Sequence, residues 1–280
     1  MSSHPHSHNQ NKLGFTIMLN IVITVAQVIG GVISGSLALI SDALHNLSDA
    51  LAVILAWIAG YLAGKPRTQR SSFGFQRAEI LAAFINALVL IAISVYLLAE
   101  AIRRFVHPEA VDPAWMFWLG LLGMFANGIS VFLLHDGRRE NINIKAAYLH
   151  LMGDMLTSAA VVAGAIFIHF LGWYWVDPMI TLLISIYLMI HTWSILKESI
   201  EILMQMSPAG IDAAEVGQVL AGVDGVQGIH HIHIWKLSDT KIHFEGHVVL
   251  SADIRVSETA VVHCRMKQLL KERYQIQHVT

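Results

Sequence analysis

His45-Asn46-Leu47-Ser48-Asp49 stands inside the apolar run Leu37–Ala63, and His150-Leu151-Met152-Gly153-Asp154 inside Ile144–Phe170. Each places a histidine and an aspartate four residues apart, so a helix carries both on one face, one turn from each other. Two such helices facing each other bring two imidazole nitrogens and two carboxylates to one buried point. That is a complete tetrahedral ligand set for Zn²⁺. A central Asp costs about 2.5–3.5 kcal/mol on membrane-insertion scales, and ionisable groups at that depth are rarely idle. The alternative is a pair of His–Asp hydrogen bonds that only pin helices together, a task that cheaper Ser or Asn contacts can perform. The pairs therefore predict His45, Asp49, His150 and Asp154 as metal ligands. Asp42, three residues before His45, shares its face and reads as a gateway or cap near the outer end.

Composition agrees with a bilayer setting. The 280 residues are 55% hydrophobic and 14% charged, with mean hydropathy +0.57, against about 25% charged in an average soluble domain. The net charge of −2 does not indicate nucleic acid or an anionic membrane surface as partners. The single cysteine, Cys264, excludes an internal disulfide and a cysteine-rich metal site, and packing in a soluble domain suffices for it. Residues 1–14 are polar, carry His4, His6 and His8, and do not read as a secretory signal. Such a tract either holds metal weakly or is a solvated tail.

Six runs are about 20 residues or longer and so able to span a bilayer: Phe15–Ile33, Leu37–Ala63, Ala78–Phe105, Trp115–Leu134, Ile144–Phe170 and Pro178–Met204. A cytoplasmic N-terminus puts Lys12, Lys65, Arg67, Arg70, Arg77, Arg138, Arg139, Lys145 and Lys197 inside, and only Arg103 and Arg104 outside. Positive charge collects on the cytoplasmic side, so both termini are expected there. Trp115, Trp118, Trp173, Tyr174 and Trp175 then form an outer interfacial belt. Asp177-Pro178 reads as an N-cap and first-turn proline opening span six.

After Met206 the pattern becomes that of a soluble domain. Asp212–Val223 and Ser257–Arg273 read as helices, with Ser257 as N-cap. Val226–Leu237, Thr240–Leu250 and Gln275–Thr280 read as strands. The fold class is an α-helical membrane protein of six transmembrane helices followed by a small cytoplasmic α+β domain of order αββαβ. Domains are expected at 1–14 (tail), 15–206 (transport) and 207–280 (cytoplasmic). Seven histidines fall in the last: His230, His231, His233, His243, His247, His263 and His278. Alternation puts His231, His233 and Trp235 outward on one strand, and His243, Glu245 and His247 on one face of the next. Histidines across paired strands approach closely enough to bind metal.

The chain resembles the cation diffusion facilitator family in its bacterial zinc-exporting branch. The resemblance runs through Ser36-Leu37-Ala38-Leu39-Ile40-Ser41-Asp42-Ala43 into His45 and Asp49, then Phe73-Gly74-Phe75, Arg77-Ala78-Glu79, His150 to Asp154 and His233-Ile234-Trp235. It implies a metallochaperone-like cytoplasmic domain, a homodimer, and exchange of cytoplasmic Zn²⁺ for incoming protons. It aligns His230 and His247 with cytoplasmic zinc ligands, with His263 and His278 as candidates for a third. Members with aspartate at the position of His45 look more permissive toward Cd²⁺, so His45 argues for zinc. Many members have a further His/Asp site after span two; residues 64–72 contain neither residue, and none is expected here. Family chains usually run several residues past the equivalent of Thr280.

These readings predict a zinc/proton antiporter of the bacterial inner membrane, working by alternating access, with protons competing for the metal ligands. An intramembrane zinc enzyme would need an open coordination position and a base. The two pairs already fill four positions, and no His-Glu-x-x-His pattern occurs. A membrane metal sensor would need an output domain that the chain lacks.

Overall fold

The structure, a computed structural model, describes residues 21–135 and 142–280, without the side chains of 142–144, 146 and 147. The His4, His6 and His8 tail, the start of the first span, Asn20, Arg138 and Arg139 lie outside the described residues. Five helices are long and apolar enough to cross a membrane: α2 (Leu37–Ala63), α3 (Ala78–Val106), α4 (Pro113–Leu134), α5 (Ile142–Leu171) and α6 (Val176–Leu203). The described part of a sixth, α1, is the apolar helix Ile21–Ser34. The chain is a multi-pass membrane protein. By contacts it divides into two compact units: residues up to Ile54 with Asn86–Trp193, and Leu55–Ile85 with Ser194–Thr280.

The first unit is sorted for lipid. Large apolar residues of its long helices, among them Phe132, Phe170 and Ile190, lie exposed, whereas Thr24, Gln27, Ser41, Asp42, His45, Ser94, Asp154, Ser158 and Ser185 are buried. In hydrocarbon, polar side chains must find partners inside the bundle. Its apolar core runs through Leu39, Met116, Val161, Ile168, Ile180 and Leu188.

In the first unit the starts of spans four and six differ from expectation. Asp177 does not stand ahead of α6: the helix already begins at Val176. Its buried carboxylate instead accepts from Leu37 N (2.9 Å), Ala38 N (3.1 Å) and Ser36 Oγ (2.5 Å). It therefore caps the first turn of α2, where free amides and the helix dipole favour an anion. Span four begins at Pro113, because the Asp112 side chain accepts from Ala114 N and Trp115 N.

In the second unit the soluble elements are α7 (Ala213–Ala221), β1 (Val226–Ser238), β2 (Lys241–Leu250), α8 (Val256–Tyr274) and β3 (His278–Val279). The sheet order is β1-β2-β3, β1 antiparallel and β3 parallel to β2. Val216, Leu220, Ile234, Phe244, Met266, Leu270 and Ile276 form its core. Ser257 is not the cap of α8. Arg255 occupies that position with extended backbone, and its amide donates to Glu258 Oε2 at 3.1 Å, a reach that Glu at the third helical position provides.

Candidate metal centre

Helices α2 and α5 run in opposite directions past each other, and their two His–Asp pairs meet. His45 Nε2 lies 3.3 Å from Asp154 Oδ1, and His45 Nδ1 3.6 Å from Asp49 Oδ2. His150 Nε2 lies 3.3 Å from Asp49 Oδ2 and 3.6 Å from Asp154 Oδ2. The imidazoles stand edge to face, 6.1 Å between centroids. Imidazole and carboxylate thus alternate around a ring of four. Zinc bonds to nitrogen and oxygen near 2.0–2.1 Å imply donors roughly 3.3 Å apart; the ring's edges are of that size, but they run through both nitrogens of His45 and both oxygens of Asp154. His45, Asp49 and Asp154 offer donors all within 4.8 Å of one another, whereas His150 reaches Asp49 and Asp154 without joining that set. His45 Nδ1 and Asp49 Oδ2 are buried without a hydrogen-bond partner among the described residues. Buried polar atoms ordinarily have partners, so these two are free to take a ligand.

The ring has a closed side and an open side. The side chains of His45 and Asp154 are 9% and 7% exposed, those of Asp49 and His150 30% and 48%. One turn beyond the closed side sits Asp42, wholly buried. It accepts from Ser158 Oγ and Thr157 Oγ1, each at 2.8 Å, and from Gln27 Nε2 at 3.3 Å. Asp42 is therefore a junction of α1, α2 and α5 near the start of α2 rather than part of the ring. Gly123 of α4 makes room for it: a Cβ there would meet Gln27 Nε2 at 2.3 Å and Ser158 Oγ at 3.3 Å.

A second cluster forms in the sheet. His230 pairs in register with His247, ring centroids 5.3 Å apart. His231 joins them at 4.9 Å and 5.1 Å, with its Nδ1 2.6 Å from that of His230. All three are exposed and present donors within 4.8 Å. Strand alternation does not foresee His231, which should face away from His230. A register shift between His230 and His233, with His231 at φ +54°, turns it back onto the same side, as a bulge does. His263 and His278 do not join the cluster. His278 packs on His243 at 4.6 Å, and His243 is buried, stacked on Trp235 and edge-on to Phe73, not on a solvated face with Glu245 and His247.

Residues 15–204 match the cation efflux transmembrane domain and residues 208–280 the cytoplasmic domain of cation efflux proteins. The chain belongs to the cation diffusion facilitator family. As a cation diffusion facilitator it is an efflux transporter, not an enzyme. It is 39% identical over 282 residues to the metal cation efflux system protein CzcD of Cupriavidus metallidurans, covering all of this chain and 89% of that one. It is 35% identical to the cadmium, cobalt and zinc/H(+)-K(+) antiporter of Bacillus subtilis, over 98% of this chain and 90% of that one. Zinc transporter ZitB of Escherichia coli is 34% identical, over 100% and 89%.

Proposed function

We propose that the protein exports Zn²⁺ from the bacterial cytoplasm in exchange for protons, by alternating access around His45, Asp49, His150 and Asp154. The observation that supports this reading most strongly is the alternating His/Asp ring, with edges of 3.3–3.6 Å and two unpartnered buried donor atoms. Relatives named as a zinc transporter and as a zinc/H(+)-K(+) antiporter agree with it.

Charge balance explains how the two cargoes exchange. Zn²⁺ with two neutral imidazoles and two carboxylates is neutral overall, and so are two imidazoliums with the same carboxylates. Both states avoid an uncompensated buried charge, and metal and protons compete for one set of atoms. With both termini cytoplasmic, α2 runs inward from Leu37, so the open Asp49–His150 side faces the cytoplasm and the Asp42 junction seals the outer side. The shape is that of a carrier ready to load from inside. Transport is assigned to residues 15–206 of the inner membrane, and residues 207–280 form a cytoplasmic metal-binding and dimerisation domain with His230, His247 and the bulged His231 as ligands. Residues 1–14 are a cytoplasmic tail.

The test is Zn²⁺ uptake into proteoliposomes under an imposed pH gradient. The intact protein should show proton-driven uptake and Asp154→Ala none. Undiminished flux in folded Asp154→Ala would remove the ring from the mechanism.

A further inference from the structure

Between α2 and α3 the chain reads Gly64-Lys65-Pro66-Arg67-Thr68-Gln69-Arg70-Ser71-Ser72-Phe73-Gly74-Phe75-Gln76-Arg77: four cations and no acid. The net charge of −2 conceals this local concentration. The segment is folded on itself. Thr68 and Ser71 exchange backbone hydrogen bonds at 3.2 and 3.1 Å, and Ser71 Oγ donates to Gly74 O at 2.6 Å, where the chain turns at φ +74°. Among the described residues, none of the four cations is paired with a carboxylate. Arg77 Nε is buried without an acceptor among the described residues.

Beside this segment lies a cavity of about 600 Å³, lined by Arg70, Arg77 and Phe75, by Leu62 of α2 and Leu203 of α6, and on a further side by Trp235 and Leu237 of β1. Its walls are mainly apolar and its only charged lining groups are the two guanidiniums. Successive spans alternate in direction, so the ends of α2 and α6 and the start of α3 share one face of the bilayer. A cavity that is greasy on its walls, cationic at its mouth and level with the headgroups suits an amphiphile. A guanidinium fork matches phosphate oxygens better than any other side chain does, and Arg/Lys clusters directly beside transmembrane helices attract anionic lipid. Exposed Phe75 extends the apolar rim, while Phe73 stands edge-on to His243 of β2.

We propose that this cavity binds the phosphodiester headgroup of an anionic phospholipid between Arg70 and Arg77, with acyl carbon along Leu62 and Leu203. The positive-inside bias alone would account for the cations, but not for a buried guanidinium nitrogen without an acceptor at the edge of an apolar cavity. Because α2 continues from Leu62 back to His45 and Asp49, an occupied cavity steadies the inner end of the helix that carries half of the ring.

The experiment uses the full chain in nanodiscs of phosphatidylcholine with graded phosphatidylglycerol, read by native mass spectrometry and by thermal midpoint. The wild type should retain phosphatidylglycerol and be stabilised by it, but not by phosphatidylcholine or by millimolar inorganic phosphate. Arg70→Gln with Arg77→Gln should weaken retention about tenfold or more, as expected for two charge-assisted contacts, while Lys267→Gln with Lys271→Gln should leave it unchanged. Arg70→Lys with Arg77→Lys keeps the charge but loses the fork, and should fall between; it serves if the glutamine variant does not fold. Equal loss in the Lys267/Lys271 control would mean diffuse attraction and overturn the site. Wild-type retention in the arginine variants, or competition by inorganic phosphate, would overturn it as well.

Discussion

Ser158 on α5 donates its hydroxyl to the carboxylate of Asp42 on α2 at 2.8 Å, one turn beyond the His45–Asp154 pair. With Thr157 and Gln27 also directed at Asp42, three helices are joined one turn from the ring, at what the proposed mechanism makes its closed side. Thr157→Val with Ser158→Ala leaves a buried carboxylate short of two donors, each worth about 1.5–3 kcal/mol to a charged acceptor. Deuterium uptake in peptides covering 40–48 and 155–162 should rise severalfold, with little change in α7 and α8. Unchanged uptake in the first two peptides would show that Asp42 does not hold the closure.

Gly123 and Gln27 should be energetically coupled. Alanine at 123 pushes Gln27 off Asp42, since its Cβ would fall 2.3 Å from Gln27 Nε2, and should cost about 1–2 kcal/mol through the lost hydrogen bond. Once Gln27 is already alanine, the same substitution should cost little more. Additive losses in a double-mutant cycle of thermal midpoints would place the strain elsewhere.

His45 is the ligand to test for cation choice. His45→Asp replaces an imidazole by a carboxylate that can bind through one oxygen or two and adds a negative charge to the ring, loosening the strict four-coordinate set that suits zinc and making room for a larger ion. Zinc flux should fall and the ratio of cadmium to zinc flux should rise. An unchanged ratio would separate selectivity from this position.

The exposed cluster predicts a metal count. In an Asp154→Ala background, His231→Ala should lose most of the remaining zinc after dialysis against a weak chelator, as should His230→Ala and His247→Ala, whereas His263→Ala should not. Equal retention in His231→Ala would leave the bulge without a role in binding.

Acid should loosen the soluble domain through His243. Burial, helped by His278, Lys241, Arg67 and Arg77, holds its imidazole below the ordinary range. The folded state then binds fewer protons than the unfolded one, so stability rises with pH in this window. The contribution is complete above about 6.5, the unfolded value, and is lost as pH falls from there toward the folded value. In chelator, hydrogen-exchange protection of β1 and β2, corrected for intrinsic rates, should drop from pH 7.5 to 5.5. His243→Phe should flatten the drop; an equal slope would assign it to other groups.

The long apolar runs and paired His-x-x-x-Asp patterns made the membrane helices and the ring legible, because helix period and hydropathy are local properties of the chain. Asp42 was readable as sharing the face of His45, but its partners Gln27, Thr157 and Ser158 come from helices whose rotation no local pattern specifies. Asp177 looked like a cap and is one, but for α2, about 140 residues away in sequence. His231 was hidden by a bulge, which breaks the period-two rule used to place it, and His243 by burial against Phe73 from the α2–α3 segment. Local pattern chose the element types correctly; contacts across the chain decided what the polar residues do.

The Asp177 clamp fixes the start of α2. If the helix tilts about Leu37, displacement grows with arm length: at 1.5 Å rise per residue, a tilt of about 5° moves His45 by roughly 1.0 Å and Asp49 by roughly 1.6 Å. The aspartate that fastens α2 to α6 would thus make any swing of this helix act unequally on the two ring members it carries.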